Sequence, residues 1–267
     1  MKRLFFYVAL AMLMTISSNI VLASTDVETT ENNESKEQYR NADEISYDEL
    51  NEIYNEYLST LPMEISENEG NVEQIIDGFV QYMVDSGVIR DTSEQRNVIQ
   101  KAFVRARFKE FALAGRIAGY TTAADYLEHS LQDSPEDIVS SSGSTYSTQI
   151  LNSIECNNIV TSFKEAINGR DIIGMTKSGD ITLNSTTDLH LAYNKVSYVA
   201  MGVKKDGIWK LTIVFKDVYD FETQKWKNEM TDNPAVTILN NYAAHAQSIG
   251  AIVPYNISIS VETSFVQ

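Results

Sequence analysis

Apolar residues recur at intervals of three and four along most of the first half of the chain, and at intervals of two along parts of the second. The first spacing places side chains on one face of a helix and the second on one face of a strand. Helices are expected at Tyr47 to Leu61, through Leu50, Ile53, Tyr54, Tyr57 and Leu58, and at Val72 to Met83, closed by Ser86-Gly87 as a C-cap. A longer helix, capped by Thr92 or Ser93, carries Val98, Ile99, Ala102, Phe103, Ala106, Phe111 and Ala114. Gly119 interrupts it, and Thr121 or Thr122 caps the next helix, Ala123 to Leu131. Thr148 to Ile167 reads as one amphipathic helix, and Asp232-Asn233-Pro234 starts a last one running through Val236, Leu239, Tyr242, Ala246 and Ile249.

Strand patterning begins at Ile181, continues through Leu189, Leu191 and Tyr193, and is densest from Val196 to Glu222. There Lys204-Lys205-Asp206-Gly207 separates two runs of β-branched and aromatic residues, and Asp-Gly supplies the positive φ angles of a tight hairpin. In the second run Trp209, Leu211, Ile213 and Phe215 share one face, Lys210, Thr212 and Lys216 share the other, and Val214 is the misfit. Carried forward, this phase puts Asp217, Tyr219 and Phe221 on the apolar face and Val218 and Asp220 opposite. A carboxylate entering an apolar surface must be paired, hydrated or functional. Tyr255, Ile257, Ile259 and Val261 alternate with polar residues in a closing strand. The expected class is α+β: a helical N-terminal region followed by a small antiparallel sheet packed with helices.

The first 23 residues follow a different logic. Lys2 and Arg3, an apolar run from Leu4 to Met14, and Val21-Leu22-Ala23 have the order of a secretory signal peptide, with a run too short for the roughly 20 residues of a membrane span. The expected product is a secreted, extracellular protein beginning near Ser24, with no stable membrane insertion after cleavage. Residues 24–45 are acidic, polar and expected to be disordered. A helical region is expected over 46–139 and an α+β C-terminal domain over 146–267, with Ser140-Ser141-Ser142-Gly143-Ser144 as the linker.

Twenty-one basic residues against 37 acidic give a net charge of −16, which disfavours nucleic acid and anionic lipid as partners. The expected partner is a cell-envelope component or another protein. The acidic first helix lacks the spacing of a calcium loop, and neither a metal nor a cofactor is expected. Arg96, Lys101, Arg105, Arg107 and Lys109 form the basic stretch of the acidic chain; pairing with the first helix is the favoured reading, contact with an anionic partner the alternative. The single Cys156 reads as a small buried hydrophobe, and His129 as a surface or hydrogen-bonded residue.

The candidate chemistry lies in Asp217, Tyr219 and Asp220, with His245 as the proton-transfer group, set among Ala243, Ala244 and Ala246. A strand, a hairpin with Trp209 in its second strand, Asp217-x-Tyr219-Asp220-Phe221 and a final strand, spanning Ile181 to Phe265, resemble the C-terminal domain of colicin M-type bacteriocins. That resemblance implies hydrolysis of lipid II at its phosphate linkage. The family follows its Asp-x-Tyr-Asp cluster with a His-Arg pair; this chain has Gln224-Lys225-Trp226-Lys227, which leaves Lys225 or Lys227 for charge and His245 for the proton. Through Tyr120 to Ala124, His129 to Leu131, Asp217 to Phe221 and Pro254-Tyr255, the chain also resembles uncharacterised secreted proteins of Gram-positive bacteria, which implies no activity. A secreted, non-catalytic envelope- or protein-binding module is the leading expectation and the bacteriocin-like hydrolase the alternative.

Overall fold

The computed structural model describes residues 39–61, 72–221 and 242–266. The expected signal peptide, the acidic segment up to residue 38, Lys225, Lys227 and the helix start at Asp232 lie outside them. The chain has an α+β fold divided into two compact units: residues up to Arg107 with Phe221 to Ile252, and Phe108 to Asp220 with residues from Val253 onward. Among the described residues no helix is long and apolar enough to cross a membrane.

The first unit contains a 3-10 turn at Ala42–Glu44, helix α1 (Tyr47–Thr60), α2 (Val72–Asp85), the first part of α3 (Ser93–Ile117), and helical residues 242–248, here α8. Ser46 caps α1 by accepting from Glu49 N–H, and Thr92 accepts from Gln95 N–H (3.2 Å) at the start of α3. Tyr54, Phe79 and Phe103, one from each of these helices, meet with ring centroids 4.5 to 5.1 Å apart. Arg107, nearly fully buried, lies over the Tyr54 and Phe103 rings and donates to Asn51 Oδ1. Arg107 thus meets α1 through Asn51 and the Tyr54 ring. Arg96 pairs with Asp91, Arg105 donates to the carbonyls of Ala251 and Gly250, and the α1 carboxylate Glu49 pairs with Arg40.

The second unit begins with the remainder of α3 and continues with α4 (Thr121–Ser130), β1 (Ile138–Ser140), α5 (Thr145–Leu151), α6 (Ile154–Ile167), β2 (Gly174–Thr182), α7 (Thr187–Tyr193), β3 (Lys195–Lys205), β4 (Ile208–Tyr219) and β5 (Tyr255–Val266). The five strands form one mixed sheet in the order β1-β5-β4-β3-β2. It is antiparallel, as expected, except that β1 runs parallel to β5. The hairpin forms where expected, with Asp206 (φ 52°) and Gly207 (φ 78°) as its two turn residues. Trp209, Leu211, Ile213 and Phe215 are buried on the inner face beside Ile257, Ile259 and Val261. Gly202 permits this packing: a Cβ there would lie 2.4 Å from the ring of Phe163, which meets Trp209 edge-on.

β1 and the part of β2 before Ile181 are not among the expected strands, and three further elements differ from the sequence expectation. The helix expected over 148–167 is two, because Ser153 accepts from Cys156 N–H (3.0 Å) and so caps a new start. Leu189, Leu191 and Tyr193 belong to helix α7, not to a strand; the buried set is Leu189, Ala192 and Tyr193, a helical spacing, and Thr186 caps it by accepting from Leu189 N–H. The Ser-rich stretch is fastened rather than free. It contains the end of β1, Ser144 caps α5, and Ser142 Oγ accepts from Glu262 N–H of β5 (3.1 Å).

Neither Thr121 nor Thr122 caps α4 through its own side chain. Asp188, in the first turn of α7, supplies the cap: its carboxylate accepts from Thr122 N–H (3.2 Å), Ala123 N–H (2.9 Å) and Gln149 Nε2 (2.7 Å), while Thr122 Oγ1 donates to Gln149 Oε1. A buried acid at a helix N-terminus satisfies donors and complements the helix dipole. It also locks α4, α5 and α7 together.

Candidate functional site

The end of β4 carries Asp217 and Tyr219 on the inner face, in register opposite Ile257 and Tyr255. Tyr219 is one of five tyrosines gathered there. Tyr219 stacks on Tyr255 (5.3 Å between centroids, 26° between planes), and both meet Tyr126 edge-on. Tyr255 Oη donates to the carbonyl of Tyr126 (3.0 Å), and the hydroxyls of Tyr126 and Tyr193 share a 2.6 Å hydrogen bond. Tyr146 packs on Tyr126 and reaches Asp125, which Arg116 holds in an ion pair. Burial pushes Tyr126, Tyr193, Tyr219 and Tyr255 far above the ordinary phenol range, so at neutral pH they are proton-bearing hydrogen-bond donors, not acids.

Asp217 sits against this cluster, and its charge adds to the cost of ionising Tyr193 and Tyr255. Burial raises its carboxyl to about 7; Val218 N–H, donating to Oδ1 at 2.9 Å, opposes the rise and the charge of Asp220 adds to it. Asp220 follows the strand and is exposed. Asp217 and Tyr219 are therefore brought together on one face, with Asp220 beside them in the chain, whereas His245 belongs to α8 of the other unit. Among the described residues no three His, Cys, Asp or Glu side chains converge on a metal position. His129 Nε2 donates to the Glu136 carbonyl and the ring lies edge-on to Tyr255, and Cys156 is buried with its thiol pushed up to about 11. Such a thiol is not a nucleophile at neutral pH.

The other face of the same sheet has a different character. Strand register places Val139 of β1, Val199, Met201 and Val203 of β3, Ile208 and Val218 of β4, and Val266 of β5 on that side. All seven are exposed, from 36% at Val199 to 81% at Val139, and they are seven of the twelve large hydrophobics exposed among the described residues. Val214, the misfit in the strand pattern, pairs with Val199 on this face, so it belongs to the outer row and not to the core. Serines and threonines fill most of the remainder: Thr176 and Ser178 of β2, Ser197, Thr212, Ser258, Ser260 and Ser264. Single exposed hydrophobics are ordinary; here seven share one sheet face.

Sequence reasoning placed Lys210, Thr212 and Lys216 on this side and passed over Val199, Met201 and Val203. Their alternation with Ala200 and Gly202 was the available signal. A shallow depression of about 330 Å³ lies at the far end of β5 from Tyr255, lined by Lys164, Glu165, Ile167, Asn168, Phe265 and Val266. Comparison of the chain with protein-family models, with curated proteins and with solved structures found no match.

Proposed function

We propose that this is a secreted, non-catalytic binding module, which engages an envelope component or another protein through the outer face of its five-stranded sheet. The observation that carries this reading is the gathering of seven exposed large hydrophobics on one face of a sheet whose other face is a packed core. An open sheet face of mixed apolar and hydroxyl side chains suits a macromolecular surface better than a small molecule, which needs a concave site to bury most of its area. Three tyrosines of the cluster have a structural role, because the Tyr126 and Tyr193 hydroxyls bond each other and the Tyr255 hydroxyl bonds the backbone.

Co-sedimentation with cell envelopes from the producing strain tests the proposal. Wild-type protein is expected in the pellet, and Met201→Asp/Val203→Asp in the supernatant with an unchanged melting temperature, since both side chains leave the core untouched. Equal sedimentation of the two would count against it.

A second reading, hydrolysis of a lipid-linked phosphate substrate, has one specific observation in its favour. A carboxyl held at about 7 is poised for general acid or base work at neutral pH. Release of labelled pyrophosphate-linked sugar from lipid II by the wild type, and its loss in a stable Asp217→Asn variant, would favour this reading over the first.

A further inference from the structure

The outer sheet face is basic in an acidic protein. Strand register assigns it Lys195, Lys205, Lys210 and Lys216 against Asp180 and Glu262, a balance of four to two, where the chain as a whole carries 21 basic residues against 37 acidic. Lys195 is spoken for, with Asp180 at 3.7 Å across the β2–β3 pair. Lys205, Lys210 and Lys216 are exposed. They are interspersed with the apolar side chains: Lys210 and Lys216 stand on the central strand β4, Lys210 in register with Val203 and Lys216 two residues from Val214, and Lys205 is in register with Ile208. Lysines interspersed with exposed apolar side chains make a mixed face, and the sign of its charge selects the partner.

Resting on the reading of this face as the binding surface, we infer that the partner is an acidic protein surface with its own exposed apolar centre. Charge complementarity fixes the sign: a basic patch on a chain of net charge −16 is where an anionic partner meets least repulsion, and a cationic partner would be drawn to the rest of the molecule instead. The apolar row fixes the class. A polyphosphate or other wall polyanion would use the lysines and hydroxyls but leave Val199, Met201 and Val203 exposed, whereas a protein surface buries them. A second copy of this chain would bring lysine against lysine unless the register were offset, so it is the weaker fit.

Immobilised polymers and envelope sedimentation test the inference together. Wild-type protein should bind a glutamate–tyrosine copolymer about tenfold or more tightly than a lysine–tyrosine copolymer, and raised salt should weaken the contact. Both Lys205→Gln/Lys210→Gln/Lys216→Gln and Met201→Asp/Val203→Asp should lose most of it. Equal binding to the two copolymers overturns the inference. So does binding to inorganic polyphosphate that survives Met201→Asp/Val203→Asp. In the envelope assay, protease treatment of the envelopes should abolish sedimentation, and persistence after treatment assigns the face to a wall polymer. If Met201→Asp/Val203→Asp releases the protein while the triple lysine variant sediments normally, the acidic partner is wrong and the binding face stands. If both sediment normally, the face itself is not the binding surface.

Discussion

The Asp217 carboxyl stands on the inner, apolar face of β4, in register opposite Ile257. The sequence put its carboxyl on the apolar side of β4 and required it to have a partner; the structure supplies one hydrogen bond, from Val218 N–H, and raises the carboxyl to about 7. A raised acid binds its proton more tightly in the folded state than in the unfolded one. Its contribution to stability is therefore greatest below the ordinary carboxylate range and falls as pH rises through about 7. Asp217→Asn should flatten that dependence: thermal unfolding of the wild type should lose ground between pH 5 and pH 8 relative to the variant. A variant less stable than wild type at pH 8 would show that the carboxylate is held by more than its neighbouring N–H. The requirement at Gly202 is steric. An added methyl would meet the Phe163 ring at 2.4 Å, so Gly202→Ala should lower the urea midpoint by an amount equivalent to about 1 to 3 kcal/mol.

At the scale of elements, the hairpin and the final strand were legible because their alternation is long and each has one buried face. Short elements were not. TDLHLAY alternates like a strand and repeats like a helix, and what decides is the Thr186 cap with Leu189, Ala192 and Tyr193 meeting the core. The start of α4 was also beyond local reading, since its cap comes from Asp188, 66 residues away from Thr122. Asp188→Ala should leave the N–H groups of Thr122 and Ala123 without their acceptor and cost about 2 to 4 kcal/mol, with Asp188→Asn intermediate. Hydrogen exchange at those two amides should quicken in the alanine variant well before the sheet amides do; equal protection in the two proteins would remove Asp188 from this role. The outer sheet face escaped notice for a related reason. Its apolar residues are divided among four strands, and only the register reveals that they share a side.

For the molecule as a whole, the α+β class was readable from the change of period along the chain, while the division into units was not. The units separate inside α3, at Arg107–Phe108, where helical periodicity continues without a break, and the Ser-rich stretch that resembled a linker lies within the second unit. The candidate set Asp217, Tyr219, Asp220 and His245 was assembled from a motif and one well-placed histidine, and its members fall in both units. The proposed secretion rests on the N-terminal pattern of basic start, apolar run and small-residue ending. Protein recovered from culture medium should therefore have an intact mass lacking Met1 to Ala23. A mass that retains them would place the protein at the membrane.

In the proposed function the outer face of the sheet, and not the end of β4, makes the contact. Envelope co-sedimentation of three proteins in parallel addresses it most directly: wild type, Met201→Asp/Val203→Asp, and Asp217→Asn. Asp217→Asn is expected to sediment as the wild type does, while Met201→Asp/Val203→Asp remains in solution, fully folded. Loss of binding in Asp217→Asn with retention in Met201→Asp/Val203→Asp would contradict it and return the function to the Asp217 cluster.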